Sequence, residues 1–114
     1  MRDWIYHFRL RDQNGSPATK GGVTVAVRAF NEKMGRVGTA VCSLKDNFCR
    51  RKGIAISTGR AGKSSTRAIP DNHEERMSLA AALAETEFLR VLNRRNEQMP
   101  ENYKLETTKK RIKA

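Results

Sequence analysis

Hydrophobic and polar positions alternate in three stretches of the N-terminal part of the chain. The stretches are WIYHFRL (residues 4–10), VTVAVRAF (23–30) and RVGTAVCS (36–43), and each has the two-residue period of a β-strand. The connectors RDQNGSPATKGG and NEKMG are rich in residues that favour turns. Sequential strands joined by short loops are usually neighbours, so we expect an antiparallel β-meander of three or four strands over about residues 4–43.

A first helix is predicted over about residues 44–60, directly after the third strand. Ser43 is a suitable N-cap, because its hydroxyl can accept a hydrogen bond from a free helix amide. Gly53 weakens the middle of this helix, so we expect it to mark a close contact with a strand or a ligand. The expected apolar stripe of the helix consists of Leu44, Phe48, Cys49, Ala55 and Ile56.

The longest helical pattern of the chain predicts a second helix over about residues 72–97. Asp71 and Glu74 resemble a capping box at its start. The expected buried stripe consists of Met77, Ala80, Ala81, Ala84, Phe88 and Val91. The polar segment of about residues 100–114 is predicted to be a basic tail. The sequence therefore predicts one α+β domain over residues 1–114, in which the N-terminal meander packs with two C-terminal α-helices.

The formal net charge of +11 predicts an anionic partner. Residues 1–70 contain 14 Lys and Arg against 4 Asp and Glu, whereas residues 71–114 contain 9 against 8. Nucleic acid, a nucleotide and a membrane surface are each a possible partner for this excess of positive charge. No apolar run approaches the roughly 20 residues that cross a bilayer, and the N-terminus has no signal-peptide core. We therefore expect a cytoplasmic protein without a membrane partner.

Residues that could carry catalysis are sparse. His7 falls on a strand and His73 at a helix start, and no third group lies at a diagnostic spacing. Cys42 and Cys49 have no second pair to complete a zinc site. The segment GRAGKSST resembles the end of a phosphate-binding loop, but Ser57 occupies the position of the first glycine of that motif. We therefore expect no enzymatic activity, no metal and no cofactor.

Two arginine clusters are candidate phosphate contacts. Arg50 and Arg51 follow the aromatic Phe48, and one guanidinium group can bind two phosphate oxygens at the same time. A solvated helix face explains the same run of charges equally well. The second cluster lies on the long helix and consists of Arg90, Arg94 and Arg95. Arg90 and Arg94 are one helical turn apart, so they could act together.

The stretch VTVAVRAF, followed by VGTAVCSLKDNFCRRKGIAISTGRA and a capped alanine-rich helix, resembles a family of small phage proteins. This is the first family of phage anti-Thoeris proteins, which sequester the cyclic ADP-ribose-type signal of a bacterial immune system without cleaving it. The resemblance covers about residues 4–95. It implies an antiparallel N-terminal sheet, a C-terminal pair of helices, and dimers or hexamers with ligand pockets between helices of adjoining subunits. Some members also bind cyclic oligonucleotide signals at separate pockets.

The resemblance also implies a pocket in which arginines bind diphosphates and an aromatic ring stacks on the base. The positions that could take these roles are Arg50, Arg51 and Arg60 for phosphate, Phe88 for stacking, and Asn72 or Asn93 for a base or ribose edge. Arg28 and His73 are two further candidate ligand contacts, and His73 could stack on or hydrogen-bond a base. We therefore expect a phage-encoded, homo-oligomeric sponge that holds cyclic nucleotide signals in the host bacterial cytoplasm.

Two other functions stay open from the sequence. A sheet face with Trp4, Tyr6 and Phe8, bordered by Arg28, could be a stacking surface for nucleic acid. The protein could instead inhibit a bacterial defence complex by direct protein binding. Salt dependence distinguishes the first alternative, because polynucleotide binding weakens steeply with salt. The mass of a stable complex would reveal the second.

Overall fold

A computed structural model describes residues 2–106 as an antiparallel sheet of five strands with two helices. The strands are β1 (Arg2–Arg11), β2 (Pro17–Ala29), β3 (Met34–Asn47), β4 (Arg67–Ala68) and β5 (Lys104–Leu105), and the helices are α1 (Arg50–Ala61) and α2 (His73–Arg94). The strand order is β4-β3-β2-β1-β5, so β1, β2 and β3 form a meander. The predicted α+β class is confirmed, and two short strands extend the sheet at its edges.

The apolar alternation of the strands sets the register of the meander. Tyr6 lies opposite Val25 and Phe8 lies opposite Val23. A shift of one residue would move these side chains to the other face, which fixes the pairing. Val23, Val25 and Val27 are completely buried. The core therefore lies on the face of the sheet that the sequence predicts as apolar.

Residues 17–22, the second half of the segment predicted as a loop, are instead the first part of β2. The pairing shifts register between Lys20 and Gly22, which is the signature of a β-bulge. Gly21 and Gly22 have φ values of 83° and 140°, a region that L side chains rarely adopt. The glycines therefore let the strand continue through the bulge instead of ending it.

The two helices pack on opposite faces of the sheet. Val25 of β2 belongs to the same core cluster as Ala84 and Phe88 of α2. The adjacent Thr24 points to the other face, where a Cβ added to Gly53 of α1 would lie 2.3 Å from the Thr24 Oγ1. Adjacent residues of a strand face opposite sides. The sheet is therefore the middle of three layers, and Gly53 marks a contact between helix and strand.

The predicted start of the first helix is wrong. β3 continues to Asn47, and α1 begins at Arg50 after Cys49, which makes no side-chain capping hydrogen bond. The Ser43 Oγ instead accepts a hydrogen bond from the backbone N–H of Lys45, at 3.0 Å. The hydroxyl thus stabilises a local turn of the strand, which competes with capping a helix.

The predicted apolar stripe of α1 is also wrong. Its sheet-facing side carries the small residues Gly53, Ser57 and Ala61, of which Ser57 and Ala61 are buried. Ile56, which was expected to be buried, is 41% exposed. A Cβ added to Gly38 of β3 would meet the Ser57 carbonyl oxygen at 2.2 Å. Close backbone approach therefore replaces the packing of large side chains on this face.

The helix α2 follows its predicted pattern closely. Its N-cap is Asn72, whose side-chain oxygen accepts a hydrogen bond from the Glu75 N–H at 3.1 Å, so the capping pair lies one residue after the predicted one. Its buried hydrophobic residues are Ala80, Ala81, Ala84, Phe88 and Leu92. Leu92 lies outside the predicted stripe but is buried, whereas Met77 and Val91 of the predicted stripe are only half-buried.

The segment after α2 returns to the sheet. Leu105 of β5 pairs with Leu10, and the Glu106 N–H donates to the Arg9 carbonyl at 2.8 Å. The first part of the predicted tail is therefore docked, and its basic end at residues 107–114 lies outside the described residues. Neither helix of the described chain is long and apolar enough to cross a membrane.

Candidate anion-binding site

A cleft rich in arginine lies at the outer edge of β3. Strand β4 covers this edge only at Met34 and Gly35, and the rest of the edge has no strand partner within residues 2–106. α1 and α2 flank the edge from the two faces of the sheet. The cleft between them has a volume of about 530 Å³. We name it the arginine cleft, and its polar lining includes Thr39, Arg60, Ser64, Arg90, Arg94 and Arg95.

The positions of the arginines follow from the fold. Arg60 lies in the last turn of α1, and its Nη1 donates to the Thr39 carbonyl at 2.9 Å. This bond satisfies a carbonyl on the free edge of β3 and fixes the guanidinium at the cleft. Arg90 and Arg94 lie one turn apart on α2, and Arg95 follows as the C-cap. Two helices on opposite faces therefore direct their arginines to one strand edge.

The arginine cleft carries an excess of positive charge. Glu87 is the one carboxylate among the described residues that line it, against four guanidinium groups. The Glu87 Oε1 accepts a hydrogen bond from the Arg90 Nη2 at 2.6 Å, and this bond and the carboxylate charge raise the pKa of Arg90. Arg60, Arg94 and Arg95 form no ion pair within residues 2–106. Three cations are thus available to an anionic ligand.

Phosphate is the chemistry that this arrangement favours. Guanidinium groups bind phosphate oxygens through charge-assisted hydrogen bonds. The Thr39 hydroxyl adds a neutral polar group at the rim, while the Ser64 Oγ already donates to the Ala61 carbonyl at 3.1 Å. The carboxylate of Glu87, in contrast, is paired with Arg90.

The structure brings together two groups that the sequence predicts separately. Arg60 and the helical cluster of Arg90 and Arg94 line the same cleft. Arg50 and Arg51 begin α1 and do not line it. Ten residues of helix separate Arg50 from Arg60, which is a distance of about 15 Å along the axis. The structure therefore places Arg50 and Arg51 apart from Arg60, and only Arg60 of these three predicted phosphate contacts lines the arginine cleft.

Phe88 does not lie at a ligand surface. Its side chain is 1% exposed and belongs to the core beneath α2. A side chain this deeply buried has no free ring face, so the structure does not support the predicted stacking of Phe88 on a base. Arg28 has an internal partner, since its Nε and Nη2 donate to Asp3 at 2.8 and 3.0 Å. Asn72 uses its side-chain oxygen to cap α2.

The remaining predicted ligand contacts are exposed but lie away from the arginine cleft. His73 is exposed in the first turn of α2, with its ring centroid 6.4 Å from that of Tyr6. Asn93 is exposed on α2 and does not line the cleft. Tyr6 and Phe8 are each 7% exposed because α2 covers them. The predicted stacking surface for nucleic acid on this sheet face is therefore covered.

A compact polar cluster lies on the other face, near the start of α1. The His7 Nδ1 is 2.9 Å from the Thr24 Oγ1, and the Phe48 ring meets the His7 ring edge-on at 5.7 Å. The Arg9 Cζ lies 5.4 Å from the centre of the Phe48 ring. Burial, together with the charge of Arg50, lowers the pKa of His7. Phe48 is thus engaged by neighbours within the chain.

Neither metal chemistry nor similarity to known proteins adds a further constraint on the site. Within residues 2–106, no group of three His, Cys, Asp or Glu side chains is arranged to hold a metal ion. No protein-family model matches the chain, and no curated protein or solved structure matches it significantly.

Proposed function

We propose that the protein binds a small phosphate-bearing nucleotide in the arginine cleft and holds it without cleaving it. The observation that supports this most directly is the placement of four guanidinium groups against one carboxylate at the edge of β3. The sequence resemblance to phage anti-Thoeris proteins gives the class of nucleotide. The proposed ligand is a cyclic nucleotide immune signal of the cyclic ADP-ribose type, with cyclic oligonucleotides as a further class.

The shape of the cleft favours a small ligand over a polynucleotide. It is bounded by a strand edge and by two helices, and its volume of about 530 Å³ lies within the range of small-molecule pockets. A few converging arginines are sufficient to hold a diphosphate, and capture requires no catalytic group. The proposed role is that of a sponge, which lowers the free concentration of the signal in the cytoplasm of the host bacterium.

The proposed sponge is a homo-oligomer. The cleft opens along the part of β3 that no strand of residues 2–106 covers. A second copy packed over this edge would enclose the ligand and exclude water from its phosphates, which strengthens the hydrogen bonds of the arginines. Ligand and neighbouring subunit would then stabilise the same assembly.

Calorimetric titration with cyclic ADP-ribose isomers tests the site. The double variant Arg60→Ala/Arg94→Ala removes two charge-assisted contacts, each worth about 1.5–3 kcal/mol, and is expected to weaken binding about 100-fold or more. The matched control Arg50→Ala/Arg51→Ala removes the same charge from the far end of α1 and is expected to bind within about threefold of wild type.

Equal losses in the two double variants would contradict the assignment to the arginine cleft, because they would show that net charge alone governs binding. A ligand-binding signal that appears only with single-stranded DNA and decreases steeply with salt would instead support polynucleotide binding. Capture of a protein of defined mass, without any nucleotide, would support the third function, direct inhibition of a defence complex.

A further inference from the structure

A buried arginine, Arg76, lies at the start of α2. Arg76 is only 8% exposed, and it forms no ion pair within residues 2–106. Its Nη1 donates to the Pro70 carbonyl at 3.2 Å, and its buried Nε has no acceptor. A buried charge is unfavourable unless it is paired, and a cation is also disfavoured in the first turn of a helix. The position of Arg76 is therefore costly without an anion.

The guanidinium of Arg76 rests on an aromatic ring. Its Cζ lies 4.0 Å from the centre of the Trp4 ring, and the Cζ of Arg2 lies 5.1 Å from the same centre. Cation–π contact offsets part of the lost hydration of Arg76, but it leaves the positive charge uncompensated. Two cations thus converge on one tryptophan, and one of them, Arg76, is buried.

A cavity of about 340 Å³ opens beside this pair. Its walls include Arg2, Trp4, Phe30, Ile69, Pro70 and Arg76. Phe30 is 41% exposed where it lines the opening, and the Arg36 Cζ lies 5.3 Å from the centre of its ring. Aromatic and apolar walls with a few converging charged groups are typical of small-molecule sites. The cavity and the arginine cleft have no lining residue in common.

Two carboxylates limit the charge that this cavity can accept. Glu32 and Asp71 also line it, and neither forms an ion pair with Arg76 or Arg2. With two cations and two anions in its wall, the cavity suits a single anionic group better than a polyanion. The volume likewise suits one ring with a short substituent.

We propose that this cavity is a second ligand site, specific for a small organic anion. The phosphate or carboxylate of the ligand binds Arg76 and Arg2, and its flat apolar body lies against Trp4 and Phe30. The site stands independently of the function proposed for the arginine cleft, because different residues form it.

The fluorescence of Trp4 reports on this site directly, because Trp4 is the one tryptophan of the sequence. The probes are phenyl phosphate and benzoate, which distinguish a phosphate ligand from a carboxylate ligand. Inorganic phosphate lacks the ring, and benzyl alcohol lacks the charge. We expect a saturable fluorescence change with at least one of the two complete probes, and affinity at least about tenfold lower for both partial probes.

Variants separate a ligand-binding role of Arg76 from a structural one. Arg76→Met keeps an apolar side chain of similar length and is expected to lose about tenfold or more in affinity, since a contact to a charged group is removed. Arg94→Ala in the arginine cleft is the control and should bind the probe as wild type does. Arg2→Ala changes an exposed residue, so it should fold normally and bind about threefold more weakly.

The proposal is overturned if neither complete probe gives a saturable change. It is also overturned if Arg76→Met binds the probe with wild-type affinity. If Arg76→Met does not fold, the proposal is instead overturned when Arg2→Ala binds the probe with wild-type affinity. A loss in Arg94→Ala equal to that in Arg76→Met would assign the probe to the arginine cleft and reject the second site.

Discussion

Two glycines of α1 are expected to respond in opposite ways to replacement by alanine. Gly53 and Gly59 both lie within the helix and both have helical backbone that alanine adopts easily. A Cβ at Gly53 would lie 2.3 Å from the Thr24 Oγ1 and 2.9 Å from the Thr24 Cβ, whereas a Cβ at Gly59 would meet nothing within 4 Å. Only Gly53 therefore depends on the packing of α1 against the sheet.

The structure gives the size of each effect. Alanine is favoured over glycine in a helix by about 0.5–1 kcal/mol, so Gly59→Ala is expected to raise the free energy of unfolding by that amount. At Gly53 the same gain is opposed by overpacking, which costs about 1–3 kcal/mol. Thr24 cannot move away easily, because it is 1% exposed and hydrogen-bonded to His7. Gly53→Ala is therefore expected to be destabilising by about 1–2 kcal/mol.

Urea unfolding of wild type and the two variants measures the difference. A double variant, Gly53→Ala with Thr24→Ala, should recover about 1 kcal/mol relative to the sum of the single changes, since it removes the nearest clashing atom. Equal stabilisation by Gly53→Ala and Gly59→Ala would show that α1 does not pack on Thr24. The three-layer arrangement would then be refuted, together with the placement of Arg60 at the edge of β3.

Two further predictions concern pH and thiol reactivity. Burial, aided by the charge of Arg50, lowers the pKa of His7 below its ordinary value of 6.5. As the pH falls, the unfolded chain therefore protonates His7 before the folded protein does. The contribution of His7 to stability is complete above pH 6.5 and is lost as the pH falls through the folded pKa. An NMR titration should show the His7 pKa rising in Arg50→Ala but not in Arg51→Ala, and an unchanged value in both would place Arg50 away from His7. Burial raises the pKa of the Cys42 thiol, whereas Cys49 is exposed. A thiol reagent should therefore modify Cys49 in a fast phase and Cys42 in a slow one, and the fast phase should be absent in Cys49→Ser. A fast phase that remains in Cys49→Ser would contradict this order.

The strands were predictable because burial of one face imposes a two-residue period on the sequence. Val23 and Val25 show that period clearly, and the structure places both in the core. The extra length of β3 was not predictable from the same pattern. Its end is polar and exposed, and Ser43 offers a local signal that favours a helix start. Pairing of this segment with β2 overrides that signal.

The faces of the helices differ in how well sequence reveals them. The stripe of α2 contains Ala80, Ala84 and Phe88, and helical spacing alone indicates that Phe88 is buried. The stripe of α1 consists of Gly53, Ser57 and Ala61, which pattern analysis does not recognise as apolar. The spacing of small residues by four is the signal that could have identified the sheet-facing side.

The arginine cleft was not predictable from any single segment of the sequence, because its arginines come from two helices. Arg60 and Arg94 lie on different helices, and their meeting requires that the helices cover opposite faces and reach the same edge of β3. Sequence spacing identified Arg90 and Arg94 as one patch, because they lie within one helix. It could not select Arg60 over Arg50, since both are exposed arginines of α1.

Native mass spectrometry tests the central claim most directly. The purified protein is mixed with cyclic ADP-ribose isomers and with cyclic di- and trinucleotides, and the bound molecule is released by heat and its mass determined. We expect a stoichiometric complex of an oligomer with one class of nucleotide, release of that nucleotide unchanged, and loss of the complex in Arg60→Ala/Arg94→Ala. Release of a cleaved product, or the absence of any complex across the panel, would contradict capture of an intact nucleotide signal.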